Sequence, residues 1–321
     1  MSGKRELPRR TAGGGNSLFA PSAERARGAT KRRISKSGLI AIVITAALLF
    51  WIPLELHLSN NAPGTETVTV RSNRLPEAFD GFRIVQLSDL HQKTFGKDNE
   101  TLLGLVRDAK PDMIALTGDL IDSVEAFSYA VELLPKLTAI APVYYVTGNH
   151  EWSADGKTAY MGRNRLITRL EDAVTESGGV WLDSSFCTLE RGGERIILAG
   201  LCDPNGPRTE PNVHELRQMI EREQDAELFS LLLSHRHDID YTHSGFDVVL
   251  SGHAHGGVIR LPFTDGLRGP AREWFPKGTS GLLRQGDTQV VVSRGLGDTY
   301  FPRFLNRPQV VVVVLSCQEG K

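Results

Sequence analysis

Residues 38–54 run without a single charge (GLIAIVITAALLFWIPL), and beyond a polar stretch at 60–64 the chain turns to short β-rich runs separated by segments of helical period. Seventeen apolar residues reach the lower edge of the about 17–25 that cross a bilayer, and Trp51 carries the amphipathic ring that anchors at a membrane–water boundary. The pattern predicts a transmembrane anchor over 37–56, a linker at 57–66 and one globular domain over 67–321. Within the domain, strands are expected at 67–71, 83–87, 113–117, 143–147, 196–200, 229–234, 248–251, 290–293 and 310–315. Several are continuous apolar runs, the mark of strands buried on both faces. Amphipathic helices are expected at 99–109, 124–139, 165–177 and 212–223. The alternation gives an α/β class with one core, and a Gly192-Gly193 turn between two β-rich runs predicts a hairpin, so the sheet is mixed.

Charge changes the reading of the amino terminus. The net charge of −1 hides ten Lys/Arg against Glu6 and Glu24 in residues 1–36, which leaves nine negative charges on the rest. An arm rich in Gly, Ala, Ser, Pro and Arg cannot bury enough surface to fold, so 1–36 is expected to be disordered. Cations immediately before an apolar run stay on the cytoplasmic side, which predicts a cytoplasmic amino terminus and a domain outside the cytoplasm, on the cell (inner) membrane. Arg32-Arg33 partly resembles a twin-arginine export signal. No A-x-A cleavage site follows the run, which favours an uncleaved anchor. The apolar run directly behind the basic block argues against a nucleic-acid partner. Three cysteines, Cys187, Cys202 and Cys317, lack zinc-site spacing and are read as buried thiols, one pair of which could oxidise in an exported domain, although no spacing favours it.

The candidate chemistry lies just after the expected strands, where open α/β sheets place their ligand sites. Residues 83–87 lead into Ser88-Asp89-Leu90-His91, and 113–117 into Gly118-Asp119-Leu120-Ile121-Asp122. Residues 143–147 lead into Gly148-Asn149-His150-Glu151, 229–234 into His235, and 248–251 into Gly252-His253-Ala254-His255-Gly256-Gly257. Each motif alone is weak. Together they supply carboxylate, imidazole and amide oxygen, the ligands of Mn, Fe, Co or Zn, without the thiolates of a structural zinc site. Glu151 is read as either a support for the site or a solvated carboxylate at a helix start. Leu261, Pro262, Phe263, Trp274 and Phe275 form either a lip for a lipid substrate or ordinary loop packing. Arg294 and Arg303 either contact a phosphate or pair with acidic neighbours, and His237 is read as lying outside the site.

The order DxH, GDxxD, GNH[D/E], a lone His and GHxH resembles the calcineurin-like metallophosphoesterase superfamily. GHAHGG and the late Ser293-Arg294-Gly295-Leu296-Gly297 with Arg303 and Pro308 look like its membrane-associated bacterial branch of the YkuE and YaeI type. The resemblance implies a mixed-sheet α-β-β-α sandwich and a phosphodiesterase or pyrophosphatase using two divalent metal ions. It implies Asp89, His91 and His255 on the first metal, Asn149, His235 and His253 on the second, and Asp119 bridging. His150 would act at the leaving group and Asp122 would orient it. Membrane-linked phosphate esters, phospholipid or glycolipid, become candidate substrates. Related enzymes cleave UDP-diacylglucosamine, although nucleotide-linked lipids face the cytoplasm and sit poorly with the expected topology. Val258 stands where the branch usually has Gln, Gln309 where it has Glu, and Ser123 follows Asp122 where protein phosphatases have Arg. A non-catalytic interaction module on the same fold is the rival reading, distinguished by loss of ligands, none of which is missing.

Overall fold

The computed structural model describes residues 35–154, 165–224 and 227–317. The expected disordered arm therefore falls outside the described residues except at its last two positions. The chain divides into two compact units, Met1–Ala47 and Leu48–Lys321. Helix α1 (Lys36–Asn61) begins in the first unit and ends in the second. It is apolar on every side, and Leu39, Ile42, Leu49 and Phe50 are all exposed, so it has no face committed to a protein core. Among the described residues it is the one helix long and apolar enough to cross a membrane.

The helix outlasts the apolar run and consumes the expected linker at 57–66. Ser59 Oγ donates to Glu55 and Asn60 Nδ2 to the Leu56 carbonyl, which extends the helix to Asn61, and strand β1 (Gly64–Ser72) starts three residues later.

Two six-stranded sheets follow. The first has the order β1, β12 (Gln309–Cys317), β2 (Arg83–Leu87), β3 (Met113–Thr117), β4 (Val143–Val146), β5 (Val180–Trp181). The second has the order β10 (Gly281–Gln285), β11 (Thr288–Val292), β9 (Val248–Gly252), β8 (Ser230–Arg236), β7 (Glu194–Leu201), β6 (Ser185–Arg191). β2, β3, β4 and β5 are parallel neighbours, as are β7, β8, β9 and β11, while β12 runs antiparallel to β2 and the β6–β7 hairpin is antiparallel. Both sheets are thus mixed.

Apolar burial is layered, not gathered into the expected single core. Ile84, Met113, Ala115 and Val146 of the first sheet meet Leu198, Leu231, Leu233 and Leu250 of the second between the sheets. The opposite face of the first sheet packs against α2 (Glu100–Asp108), α3 (Phe127–Thr138) and α5 (Arg165–Glu176), and that of the second against α6 (Val213–Glu223). Covering both faces of both sheets explains why the central strands are apolar throughout. Asn212 closes α6 with a capping box, accepting from the His214 and Glu215 backbone while Glu215 accepts from the Asn212 N–H. One polar stitch crosses the sandwich. Gln86 Nε2 donates to the Ser251 carbonyl and to Thr117 Oγ1, tying the carboxyl ends of β2, β3 and β9 together.

Candidate metal centre

The expected ligands converge at the carboxyl ends of the parallel strands. Asp89 and His91 follow β2, Asp119 follows β3, Asn149 opens the short helix α4 (Asn149–Ala154) after β4, and His253 and His255 follow β9. His235 lies within β8, one residue earlier in the ladder than expected, because that strand continues to Arg236.

Donor atoms that share one cation through bonds of about 2.0–2.2 Å must lie roughly 3.0–3.6 Å apart. His91 Nε2 is 3.3 Å from His255 Nε2, which is 3.5 Å from Asp89 Oδ1. On the other side of Asp119, His235 Nε2 is 3.1 Å from Asn149 Oδ1, 3.2 Å from His253 Nδ1 and 3.2 Å from Asp119 Oδ2. Asp119 Oδ2 also lies 3.8 Å from His91 Nε2 and 3.9 Å from His150 Nε2, between the two clusters. That oxygen is buried and makes no aligned hydrogen bond. A buried carboxylate oxygen left unpaired is costly, and a cation is the partner its surroundings fit. The His235 Nδ1 approaches the Thr117 carbonyl at 2.8 Å. A carbonyl only accepts, so Nδ1 carries a proton. Burial disfavours charge on the ring, but the Asp119 carboxylate outweighs it and raises His235 to about 10, so Nε2 is protonated toward Asp119 unless a cation takes the place of that proton.

Backbone strain is concentrated here. Asp89, His91, Asp119, His253 and His255 all have positive φ, between 45° and 66°. Such residues cost about 1–2 kcal/mol each and persist where surrounding bonds fix them. Hydrogen bonds fix them: Asp89 N–H donates to the Gly118 carbonyl, His91 N–H to the Asp119 carbonyl, and His253 N–H to the Asp89 carboxylate. Gly252 and Gly148 permit the close approach, since a Cβ on the first would meet Ser88 and Asp89 and on the second the Asp119 carboxylate.

Glu151 is the residue that the sequence underrated. It is fully buried, and the solvated reading fails. Its carboxylate accepts from the N–H groups of Asp119, Leu120 and Gly148 and from the Tyr145 hydroxyl, locking the β3 and β4 loops to each other. Burial, with the Asp119 charge adding to it, pushes the Glu151 carboxyl up to about 7. For Asp119 burial acts in the same direction, but the adjacent His235 outweighs it and holds the carboxyl well below its usual range. Burial lowers His253 to about 2, helped by His235 and Arg236, and lowers His255 with help from His91 and Arg303, so both rings are neutral, the form that binds metal.

Arg303 neither reaches for solvent nor pairs with an acid. It is wholly buried, donating to the carbonyls of Gly297 and Arg294, with Nη2 3.3 Å from His255 Nδ1. Its backbone is clamped in turn by the last turn of α1: Asn60 Oδ1 accepts from the Arg303 N–H and Asn60 Nδ2 donates to the Arg303 carbonyl. Nearby, the Asn306 N–H donates to Ser59 Oγ while Asn306 Nδ2 holds the His255 carbonyl. The helix end is therefore two residues removed from a candidate metal ligand. Arg294 does pair with an acid, Glu66, at 3.1 Å. Gln309 donates to the same Glu66, a contact that the Glu usual in this branch would turn into repulsion. The His237 ring lies 6.1 Å from that of His253, tilted by 43° to it.

A cavity of about 850 Å³ opens over the centre, lined by the ligand loops and by Arg268, Arg272, Tyr300 and Phe301. His150 and Asp122 both face it, with no hydrogen bond between them; the His150 ring packs edge-on against His91, and Gln92 Oε1 holds the Asp122 N–H.

A sequence profile of the calcineurin-like phosphoesterases matches residues 82–257, more than half of the chain. The chain belongs to that family. It is 33% identical over 262 residues to the uncharacterized metallophosphoesterase YkuE of Bacillus subtilis, covering 77% of this chain and 84% of that one. It is 28% identical over 253 residues to the phosphodiesterase YaeI of Escherichia coli, covering 73% and 82%. A transmembrane protein with a metallophosphoesterase domain from Danio rerio is 32% identical over 298 residues, covering 87% of this chain and 62% of that protein. This calcineurin-like phosphoesterase is a metal-dependent phosphoester hydrolase with residue groups suited to metal, and its apolar amino-terminal helix is a candidate span.

Proposed function

We propose that this chain is a dinuclear phosphoesterase of the phosphodiesterase or pyrophosphatase type. Asp89, His91 and His255 hold one divalent cation, Asn149, His235 and His253 a second, and Asp119 stands between them. The observation that carries this reading is the buried Asp119 Oδ2, which makes no aligned hydrogen bond and faces imidazole nitrogens from both clusters. Mn, Fe, Zn and Co all suit these donors. Bound there, the cations would offset the phosphoryl charge and acidify the attacking water.

His150 is the proton donor to the leaving oxygen. It is the most exposed imidazole of the cluster, with its side chain 40% accessible from the cavity and Nε2 turned to the centre. Asp122 orients it, which requires the two side chains to close on each other when substrate binds. Arg268 and Arg272 stand at the mouth as cations for a phosphate ester. The substrates to test first are phospholipid and glycolipid phosphoesters, UDP-diacylglucosamine among them. The arm at 1–36 remains cytoplasmic, α1 spans the inner membrane, and the catalytic domain from Gly64 onward lies outside.

Metal analysis and turnover of an aryl phosphodiester with added Mn test the assignment. Two metal equivalents are expected, with turnover that vanishes in Asn149→Ala. His150→Ala should keep both equivalents and lose about 10²–10³-fold in kcat on an alkyl ester. Unchanged turnover in Asn149→Ala overturns the reading. A reporter fused after Lys321 that works only in the cytoplasm overturns the topology.

A further inference from the structure

The cavity mouth is built from two loops, residues 258–277 and 298–306, whose exposed side chains are strongly aromatic. Phe263 is fully exposed and Tyr300 is 86% exposed, while Trp274, Phe275 and Phe301 each show more than half of their surface. Large aromatic side chains exposed together on neighbouring loops are the composition of a contact surface. Two guanidinium groups lie over these rings, Arg268 at 4.7 Å from Trp274 and Arg272 at 5.4 Å from Tyr300. Aromatic rings beside cations are the composition of surfaces that sit at lipid headgroups.

The end of α1 says what covers them. The two loops are joined where the Arg260 N–H donates to the Phe304 carbonyl, and the Phe304 ring packs edge-on against Trp51 at 5.7 Å. Trp51 precedes the helix end at Asn61 by ten residues, about 15 Å of helix at 1.5 Å per residue. It lies inside the uncharged run 38–54. The loop that walls the cavity therefore reaches the level of the apolar span, alongside residues that a bilayer would surround. A second protein on this face would have to share that space with the lipid.

We propose that the loops 258–277 and 298–306 form a bilayer-docking lip that opens the metal cavity onto the membrane surface, so that the site takes amphiphilic phosphoesters directly from the leaflet facing the domain. The lip places Phe263, Trp274 and Phe275 among headgroups and upper acyl chains, with Arg268 and Arg272 against anionic lipid phosphates. The substrate part rests on the phosphoesterase reading above; the docking part does not.

The test uses the full chain in vesicles of phosphatidylcholine and phosphatidylglycerol carrying acyl-chain nitroxide. Fluorophores are placed through Phe263→Cys and, as a control on the far hairpin, Glu190→Cys. Quenching at 263 several-fold above that at 190 is expected. Equal quenching overturns the lip, and so does shielding of position 263 that appears only as the protein self-associates. In a second arm, Phe263→Asp and Phe275→Asp should hydrolyse a water-soluble aryl phosphodiester at the wild-type rate and lose at least tenfold on a phosphodiester embedded in the same vesicles. Equal loss on both substrates, or on neither, overturns capture from the leaflet. Wild-type protein that docks but hydrolyses neither substrate with any of the metals overturns the phosphoesterase reading alone.

Discussion

The floor and the mouth of the cavity hold the same backbone strain by opposite means. On the floor the left-handed residues are Asp89, His91, Asp119, His253 and His255, short polar side chains that tolerate that region, each in a loop fixed by buried hydrogen bonds. At the mouth they are Val258, Phe263, Arg272, Phe275 and Leu305, for which positive φ is less natural, and several carry exposed side chains. The floor is fixed by its own buried hydrogen bonds.

Substitutions should separate the two. Asp119→Asn halves the charge logic of the floor and is expected to cut metal-dependent turnover about 10³-fold, some 4 kcal/mol of barrier, on every substrate; steady-state kinetics over a substrate panel reads it. If only bilayer substrates suffer, floor and mouth are not distinct.

Beneath the floor, Asp183 accepts from the Thr147 N–H and hydroxyl, and burial pushes its carboxyl up to about 7. Its folded value lies above its unfolded one, so the unfolded state loses the proton first. Stability is then greatest at acid pH and falls as pH rises from about 4 to about 7. The cost is about 4 kcal/mol over that window at about 1.4 kcal/mol per unit, and Asp183→Asn should remove roughly half of the slope in urea titrations, the rest belonging to Glu151, whose carboxyl is raised to about the same value. A parallel slope in the variant would show that another group is responsible.

Glu151→Gln turns an amide NH2 toward main-chain donors that now meet an oxygen. A loss of about 2 kcal/mol is expected from urea titration, with metal affinity reduced about 10–100-fold by calorimetry. The smallest effect belongs to the mouth. Phe263→Ala should change stability by no more than about 0.5 kcal/mol, since nothing in the folded protein covers that ring. A larger loss by thermal unfolding would mean that the lip is part of the fold.

The sequence made the floor legible because its chemistry is carried by residue type. Strands 83–87 and 113–117 fall where apolar runs end in Asp-containing motifs, and the observed β2 and β3 have those bounds. What escaped was held by the main chain. Glu151 looks like any helix-start carboxylate until three N–H groups from separate loops are seen to converge on it. Arg303 likewise gives no sign that its partners are carbonyls. β5 has two residues and β10 reads Gly-Leu-Leu-Arg-Gln, too short or too mixed to stand out. Ser59 and Asn60 read as linker because their side chains are polar, yet those side chains bond back to Glu55 and Leu56 and extend the helix.

Those same two residues change what it means to detach this enzyme. Asn60 grips both ends of the Arg303 peptide unit, and Ser59 holds Asn306, which holds the His255 carbonyl. A protease that clipped the chain at Pro63 would cut part of the scaffolding of a candidate metal ligand away together with helix α1. Losing the helix and disturbing the site would then be one event.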